Sequence, residues 1–211
     1  MQHPIPTEAE RRVLAACYEA GDFSRLEQQC ESMLVRYPMS GFVWKVLGVA
    51  RMSLGKECVA ALGKAAELLP SDAESHNNLG NALRDAGRVA EAETAYRRAV
   101  SLQPSYAVGY YNLGGVLHVL QRRADAEEAY RHAVQLDPDF AEAYYNLGVV
   151  LDEGGAQEAA GDCYLQTLRL QPDHVEACLN LALNLKSRSR SAEAEHCLRH
   201  LLARSPACVP A

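Results

Sequence analysis

From Ala141 onward, Tyr144, Leu147, Gly148 and Leu151 fall at i, i+3, i+4 and i+7, one face of a helix. Ala160, Tyr164 and Thr167 mark the apolar face of a second helix. Gly155 stands between the two, where a left-handed residue ends a helix at little cost. The same alternation recurs along the chain. His76-Asn77-Asn78-Leu79-Gly80, Tyr110-Tyr111-Asn112-Leu113-Gly114 and Cys178-Leu179-Asn180-Leu181-Ala182 repeat the first face. Ala92, Tyr96 and Ala99, then Ala126, Tyr130 and Ala133, then Ala194, Leu198 and Leu201 repeat the second, and Gly21, Gly55 and Gly87 hold the place of Gly155.

Prolines set the period. Pro38, Pro70, Pro104, Pro138, Pro172 and Pro206 are 34 residues apart except for one step of 32. A fixed period of this size marks units that bury their apolar faces against their neighbours. Each proline ends a second helix. Asp139, Asp173 and Ser71 are placed to cap the next first helix, and Glu142, Glu176 and Glu74, three residues on, complete capping boxes. The units are helix-turn-helix hairpins at 7–38, 41–70, 73–104, 107–138, 141–172 and 175–206, one domain over 7–206, with a 1–6 extension and a 207–211 tail. In the weaker first two, Glu10 replaces the aromatic and 41–70 loses two residues from its turn.

An aromatic residue followed by Leu-Gly, and later Ala, aromatic, Ala and Pro, over 34 residues resembles the tetratricopeptide repeat. The resemblance covers residues 7 to 206 and implies an all-α fold, a right-handed α-α superhelix of six repeats. The departures cluster toward the ends: Ala182 replaces the close-packing glycine, and Thr167 and Leu201 replace the alanine of the second helix.

Composition narrows the function. The chain has 48% hydrophobic and 23% charged residues and no apolar run near 18 residues, so a membrane span is not expected. Met1 to Pro6 lacks the features of a secretory signal. Seven cysteines without a Cys-x-x-Cys pair argue against a disulfide framework and for a reducing, cytoplasmic setting. Cys17, Cys30, Cys58, Cys163, Cys178 and Cys197 read as small apolar fillers. A net charge of −6 argues against nucleic-acid binding.

Catalytic chemistry is not indicated. There is no phosphate loop, no His-Glu-x-x-His and no Gly-x-Ser-x-Gly, so neither an enzyme nor a cofactor is expected. His196 and His200, with Glu193 and Cys197, have a spacing that zinc could use. No second pair converges on them, so a surface role is the better reading and no metal is expected.

The surface of the first helices remains. A second stripe runs beside each packing face: Glu74, Asn78, Asn81 and Asp85; Val108, Asn112, Gly115 and Val119; Glu142, Asn146, Val149 and Glu153; Glu176, Asn180, Leu183 and Ser187. In tetratricopeptide arrays the first helices line a concave groove, so the resemblance implies that this stripe, with Asn77, Tyr111 and Tyr145 beside it, faces a ligand. Asn78, Asn112, Asn146 and Asn180 recur at 34-residue intervals as a ladder. Each amide offers a donor and an acceptor to the backbone of an extended peptide, whatever that peptide's side chains. Tyr111, Tyr145, Arg84 and His118 would add selectivity. Arg12 and Val46 hold the asparagine place in the first two units, so the groove is expected to be strongest from residue 73 onward.

An asparagine ladder with near-identical Asn-Leu-Gly units is similar to the repeat region of O-GlcNAc transferases, and Gly41 to Ala50 followed by Asn77 to Arg84 to the SPINDLY-like bacterial branch. There the array presents protein substrates to a following glycosyltransferase domain, for which the five residues after Pro206 leave no room. The carboxylate clamp that grips acidic chaperone tails is not matched, since Val49 follows Lys45 and Glu142 and Glu153 are acidic. The expectation is a noncatalytic scaffold for an extended peptide. The alternative is the substrate-presenting part of a glycosyltransferase. Apolar Leu181, Leu185, Leu198, Leu201 and Leu202 suggest self-association through the final repeat.

Overall fold

The structure is a computed structural model that describes residues 5–204, with side chains as far as Arg199. Twelve α-helices and no strands occupy these residues: α1 (Glu8–Glu19), α2 (Phe23–Arg36), α3 (Gly41–Ser53), α4 (Val59–Leu68), α5 (Ala73–Asp85), α6 (Val89–Leu102), α7 (Ala107–Val119), α8 (Arg123–Leu136), α9 (Ala141–Glu153), α10 (Gln157–Leu170), α11 (Val175–Ser187) and α12 (Ser191–Arg204). Odd and even helices pair as hairpins. The chain forms two compact units, Met1–Ser105 with α1–α6 and Tyr106–Ala211 with α7–α12.

In the four hairpins from α3–α4 to α9–α10 a glycine of the first helix faces a large side chain of the second. A methyl group on Gly114 would lie 2.8 Å from the Tyr130 ring, and one on Gly148 2.7 Å from Tyr164. The rings of Tyr130 and Tyr164 are buried, so the glycines let the backbone close over them. Where Ala182 replaces the glycine, Leu198 replaces the tyrosine. Thr167, at an alanine position, is fully buried because its hydroxyl donates to the carbonyls of Cys163 at 3.0 Å and Ala141 at 3.4 Å.

Turn chemistry follows the sequence. Gly21, Gly55, Gly87 and Gly155 have φ of 67°, 66°, 74° and 82°. Gln121 and Ser189 take the same left-handed turn at φ 60° and 61° without the freedom of glycine. The 32-residue unit differs from expectation in where it shortens. α4 has 10 residues against 14 in α2, α6, α8 and α10, and the segment between Gly55 and Val59 is not helical.

The expected caps are corrected by one residue. Ser71, Asp139 and Asp173 do not cap; the N-caps of α5, α7, α9 and α11 are Asp72, Tyr106, Phe140 and His174. At α9 and α11 the cause is ring packing. Phe140 lies 4.8 Å from the Tyr111 ring and His174 4.7 Å from Tyr145, so an aromatic takes the cap position. Phe140 and Tyr106 make no side-chain cap bond, while His174 Nδ1 accepts from the Ala177 N–H at 3.3 Å. Glu142 and Glu74 are drawn away to Gln171 and Lys45. A full capping box forms instead at Thr7 and Glu10, whose carboxylate also accepts from the Tyr37 hydroxyl at 3.0 Å and pairs with Arg36 at 2.6 Å. This accounts for an acid where the other units carry an aromatic.

Cys17, Cys30, Cys58 and Cys178 are buried among apolar residues, as fillers should be, whereas Cys163 and Cys197 are half-buried.

Candidate functional site

In the second unit the exposed stripe runs along α7, α9 and α11. The 34-residue repeat places Tyr111 and Tyr145 one position before an asparagine, so each asparagine of the next unit stands 35 residues after a tyrosine. The structure turns that spacing into a bond. Asn146 Nδ2 donates to the Tyr111 hydroxyl at 3.2 Å, and Asn180 Nδ2 donates to the Tyr145 hydroxyl at 3.4 Å. Both asparagines are half-buried. The Asn146 amide keeps one N–H and the Oδ1 lone pairs beyond this bond, and the Asn180 amide also bonds the Tyr164 hydroxyl.

The tyrosines are held from below. Tyr111 packs against Phe140 and lies 6.0 Å from the Tyr130 ring, and Tyr145 packs against His174 and lies 6.2 Å from Tyr164. Packing of tilted rings thus fixes the hydroxyls that orient the amides. Asn112 is buried, at 8% exposure. His118 Nε2 is 2.8 Å from Glu153 Oε2, linking α7 to α9. Beside these polar groups stand exposed apolar side chains, Val108 and Val119 on α7 and Leu179 and Leu183 on α11, the last 66% exposed. The stripe of this unit therefore mixes fixed amides with aliphatic surface.

In the first unit Asn78 is half-buried, but Asn77 lies inside at 3% exposure and presents almost no surface. Asn81 Oδ1 accepts from the Tyr96 hydroxyl at 2.7 Å, and Arg84 pairs with its neighbour Asp85 at 3.0 Å. A feature absent from the sequence reading lies further forward. Tyr18, Phe42, Val46 and Val49, with Arg11 and Lys45, line an open cavity of about 320 Å³ on the faces of α1 and α3. Lys45 Nζ bridges Asp72 at 3.0 Å and Glu74 at 2.8 Å. Burial pulls this ammonium's pKa down, but the two carboxylates outweigh it and hold the group above its ordinary value. Its charge is spent within the protein.

Among the described residues no three His, Cys, Asp or Glu side chains gather as a metal site, and no helix is long and apolar enough to cross a membrane. The His200 side chain and those of Leu201 and Leu202 lie outside the described ones. Of the other leucines considered for self-association, Leu181 and Leu185 are buried.

Two family profiles match the chain: the TPR repeat at residues 80–121 and 122–153, and the tetratricopeptide repeat at residues 141–174. No curated protein sequence matches it. Among solved structures, pilF of Pseudomonas aeruginosa aligns with a TM-score of 0.82 and 18% identity over 94% of this chain and 91% of its own. YrrB, described as a TPR protein with an unusual peptide-binding site, aligns at 0.71 and 20% identity over 84% of this chain and 92% of its own. MamA aligns at 0.72 and 24% identity over 79% of this chain and 92% of its own. At these identities the likeness is one of fold. Paired helices, a glycine beneath the hairpin tyrosine at Gly80, Gly114 and Gly148, repeat profiles over residues 80–174 and the matching folds converge on one statement: the chain has the fold of tetratricopeptide-repeat proteins, and its residues 80–174 match that repeat.

Proposed function

We propose that the chain is a noncatalytic interaction scaffold that holds an extended segment of a partner protein on its first-helix faces through Asn78, Asn112, Asn146 and Asn180. The observation that carries this reading is the fixing of Asn146 and Asn180 by Tyr111 and Tyr145. An amide whose rotamer is already set loses little entropy on binding, and its remaining N–H and carbonyl can pair with the C=O and N–H of an extended backbone. Each such bond contributes about 0.5–1.5 kcal/mol. Leu179 and Leu183, exposed on the same helix as Asn180, suit an apolar side chain of the partner. The peptide-binding site named for YrrB lends support from a protein of like fold.

Two placements weigh on the details. Asn112 and Asn77 are mostly buried, so the accessible part of the ladder is Asn78, Asn146 and Asn180. His118 would offer selectivity only as a pair with Glu153. A glycosyltransferase-associated role rests on the sequence resemblance alone.

The deciding experiment is affinity capture with the wild type and with a variant carrying Asn78→Ala, Asn146→Ala and Asn180→Ala, both checked for equal helicity and melting temperature. Partners held by the wild type and lost by the variant support the reading. Equal retention sinks the ladder and leaves the fold untouched.

A further inference from the structure

Cysteines on the two helices of the α11–α12 hairpin approach one another more closely than packing requires. Cys178 on α11 is 3% exposed, Cys197 on α12 is half-buried, and their Sγ atoms are 3.0 Å apart. The contact is reciprocal: Cys178 Sγ donates to the Cys197 carbonyl at 3.4 Å, and Cys197 Sγ lies 3.9 Å from the Cys178 carbonyl. A disulfide needs about 2 Å between sulfurs, so this pair has about 1 Å left to close. Both residues also line an open, largely apolar cavity of about 440 Å³ with Leu165, Leu181, Leu185 and His196, which gives a small reagent access to the pair.

We infer that Cys178 and Cys197 are a dithiol that closes reversibly to a disulfide, pinning α12 to α11 behind the face that carries Asn180. The oxidant is a small disulfide of the glutathione class. Cys197, the more accessible sulfur, gives its proton to water and attacks one sulfur of that disulfide. One small thiolate leaves and takes up a proton, and a mixed disulfide remains on Cys197. Cys178 then attacks Cys197 Sγ and the second small thiol departs with the Cys178 proton. Two protein thiols lose two electrons, and one disulfide becomes two thiols. The order follows from environment. Burial, then hydrogen bonding to Cys197, pushes the Cys178 thiol up to about 12, so it serves as the resolving sulfur and not the first attacker.

The bridge would close a loop between residues 19 apart, which removes freedom from the unfolded chain. The test uses the full chain carrying Cys208→Ser, so that the seventh cysteine cannot compete. The protein is incubated in oxidised glutathione, alkylated without reductant and mapped by mass spectrometry. The expected result is one internal crosslink joining Cys178 and Cys197, a loss of two hydrogens, with Cys17, Cys30, Cys58 and Cys163 still alkylated. The melting temperature should rise by about 5 °C, return on adding dithiothreitol, and fail to rise in Cys197→Ser. Alkylation of both cysteines, a stable glutathione adduct on Cys197, or a crosslink elsewhere overturns the inference. The map is read on the chain with both cysteines present, so the outcome stands even if Cys197→Ser folds poorly.

Discussion

The Tyr96 ring lies across Gly80 with no room for a side chain: a methyl group there would stand 2.6 Å from Cε1 and 2.7 Å from Cδ1. Tyr96 is fully buried and its hydroxyl is tied to Asn81, so the ring cannot swing away. Overpacking of this kind costs about 3 kcal/mol, against about 1 kcal/mol returned by alanine's helix propensity. Gly80→Ala should therefore lose about 2 kcal/mol in urea denaturation. Gly63, also helical but with nothing within 4 Å of the added methyl, is the control. Gly63→Ala should gain about 0.8–1 kcal/mol.

Left-handed turn positions make a second pair of opposite predictions. Gln121 at φ 60° is exposed and bears the strain that glycine avoids at Gly155, φ 82°. Gln121→Gly should stabilise by about 0.5–1 kcal/mol, and Gly155→Ala should destabilise by about 1 kcal/mol. Thermal melts of the two variants check both signs.

Acid should loosen the α1–α2 hairpin. The Thr7 backbone N–H, above all, with the Thr7 and Tyr37 hydroxyls and Arg36, holds the Glu10 carboxyl down to about 2 from 4.5, against an upward push from burial. A group depressed on folding contributes stability above its unfolded pKa and loses it as the pH falls through the folded one. Stability from Glu10 is thus whole above 4.5 and gone below about 2. Glu10→Gln should flatten the melting-temperature profile across that window relative to wild type.

The tyrosine hydroxyls give a sharper test of the proposed scaffold than the asparagines do. Tyr145→Phe keeps the ring over His174 but removes the oxygen that holds Asn180. Stability should change by less than about 1 kcal/mol while affinity for a captured partner falls by up to about tenfold. Titration of purified partner, paired with a melt, separates the two effects.

Much of the fold was legible because it rests on local spacing. The proline period, the 3.6-residue faces and the turn glycines each report one hairpin without reference to the rest. The caps were misplaced because Phe140 and His174 sit where they do for the sake of Tyr111 and Tyr145, residues of the preceding hairpin. Asn77 was misread for a similar reason. It holds the place of the half-exposed Tyr111 and Tyr145, yet its short side chain is buried. The Tyr-to-Asn bond was written in the 35-residue spacing, but a search at the 34-residue period passes over it. The front cavity was missed because Arg11, Tyr18 and Phe42 belong to the two repeats whose text departs most from the others.

The shortened α4 has an electrostatic outcome. Losing helix between Gly55 and Val59 leaves Lys56 in an open segment, from which its ammonium reaches Glu27 on α2, a carboxylate only 10% exposed that Arg51 of α3 also holds at 3.0 Å. The carboxyl is kept below its usual range, first by Lys56. At this boundary a deletion that removes apolar helix has been answered with charge. Adhesion between the α1–α2 and α3–α4 hairpins should accordingly soften as ionic strength rises, while boundaries made of aliphatic contacts hold or tighten.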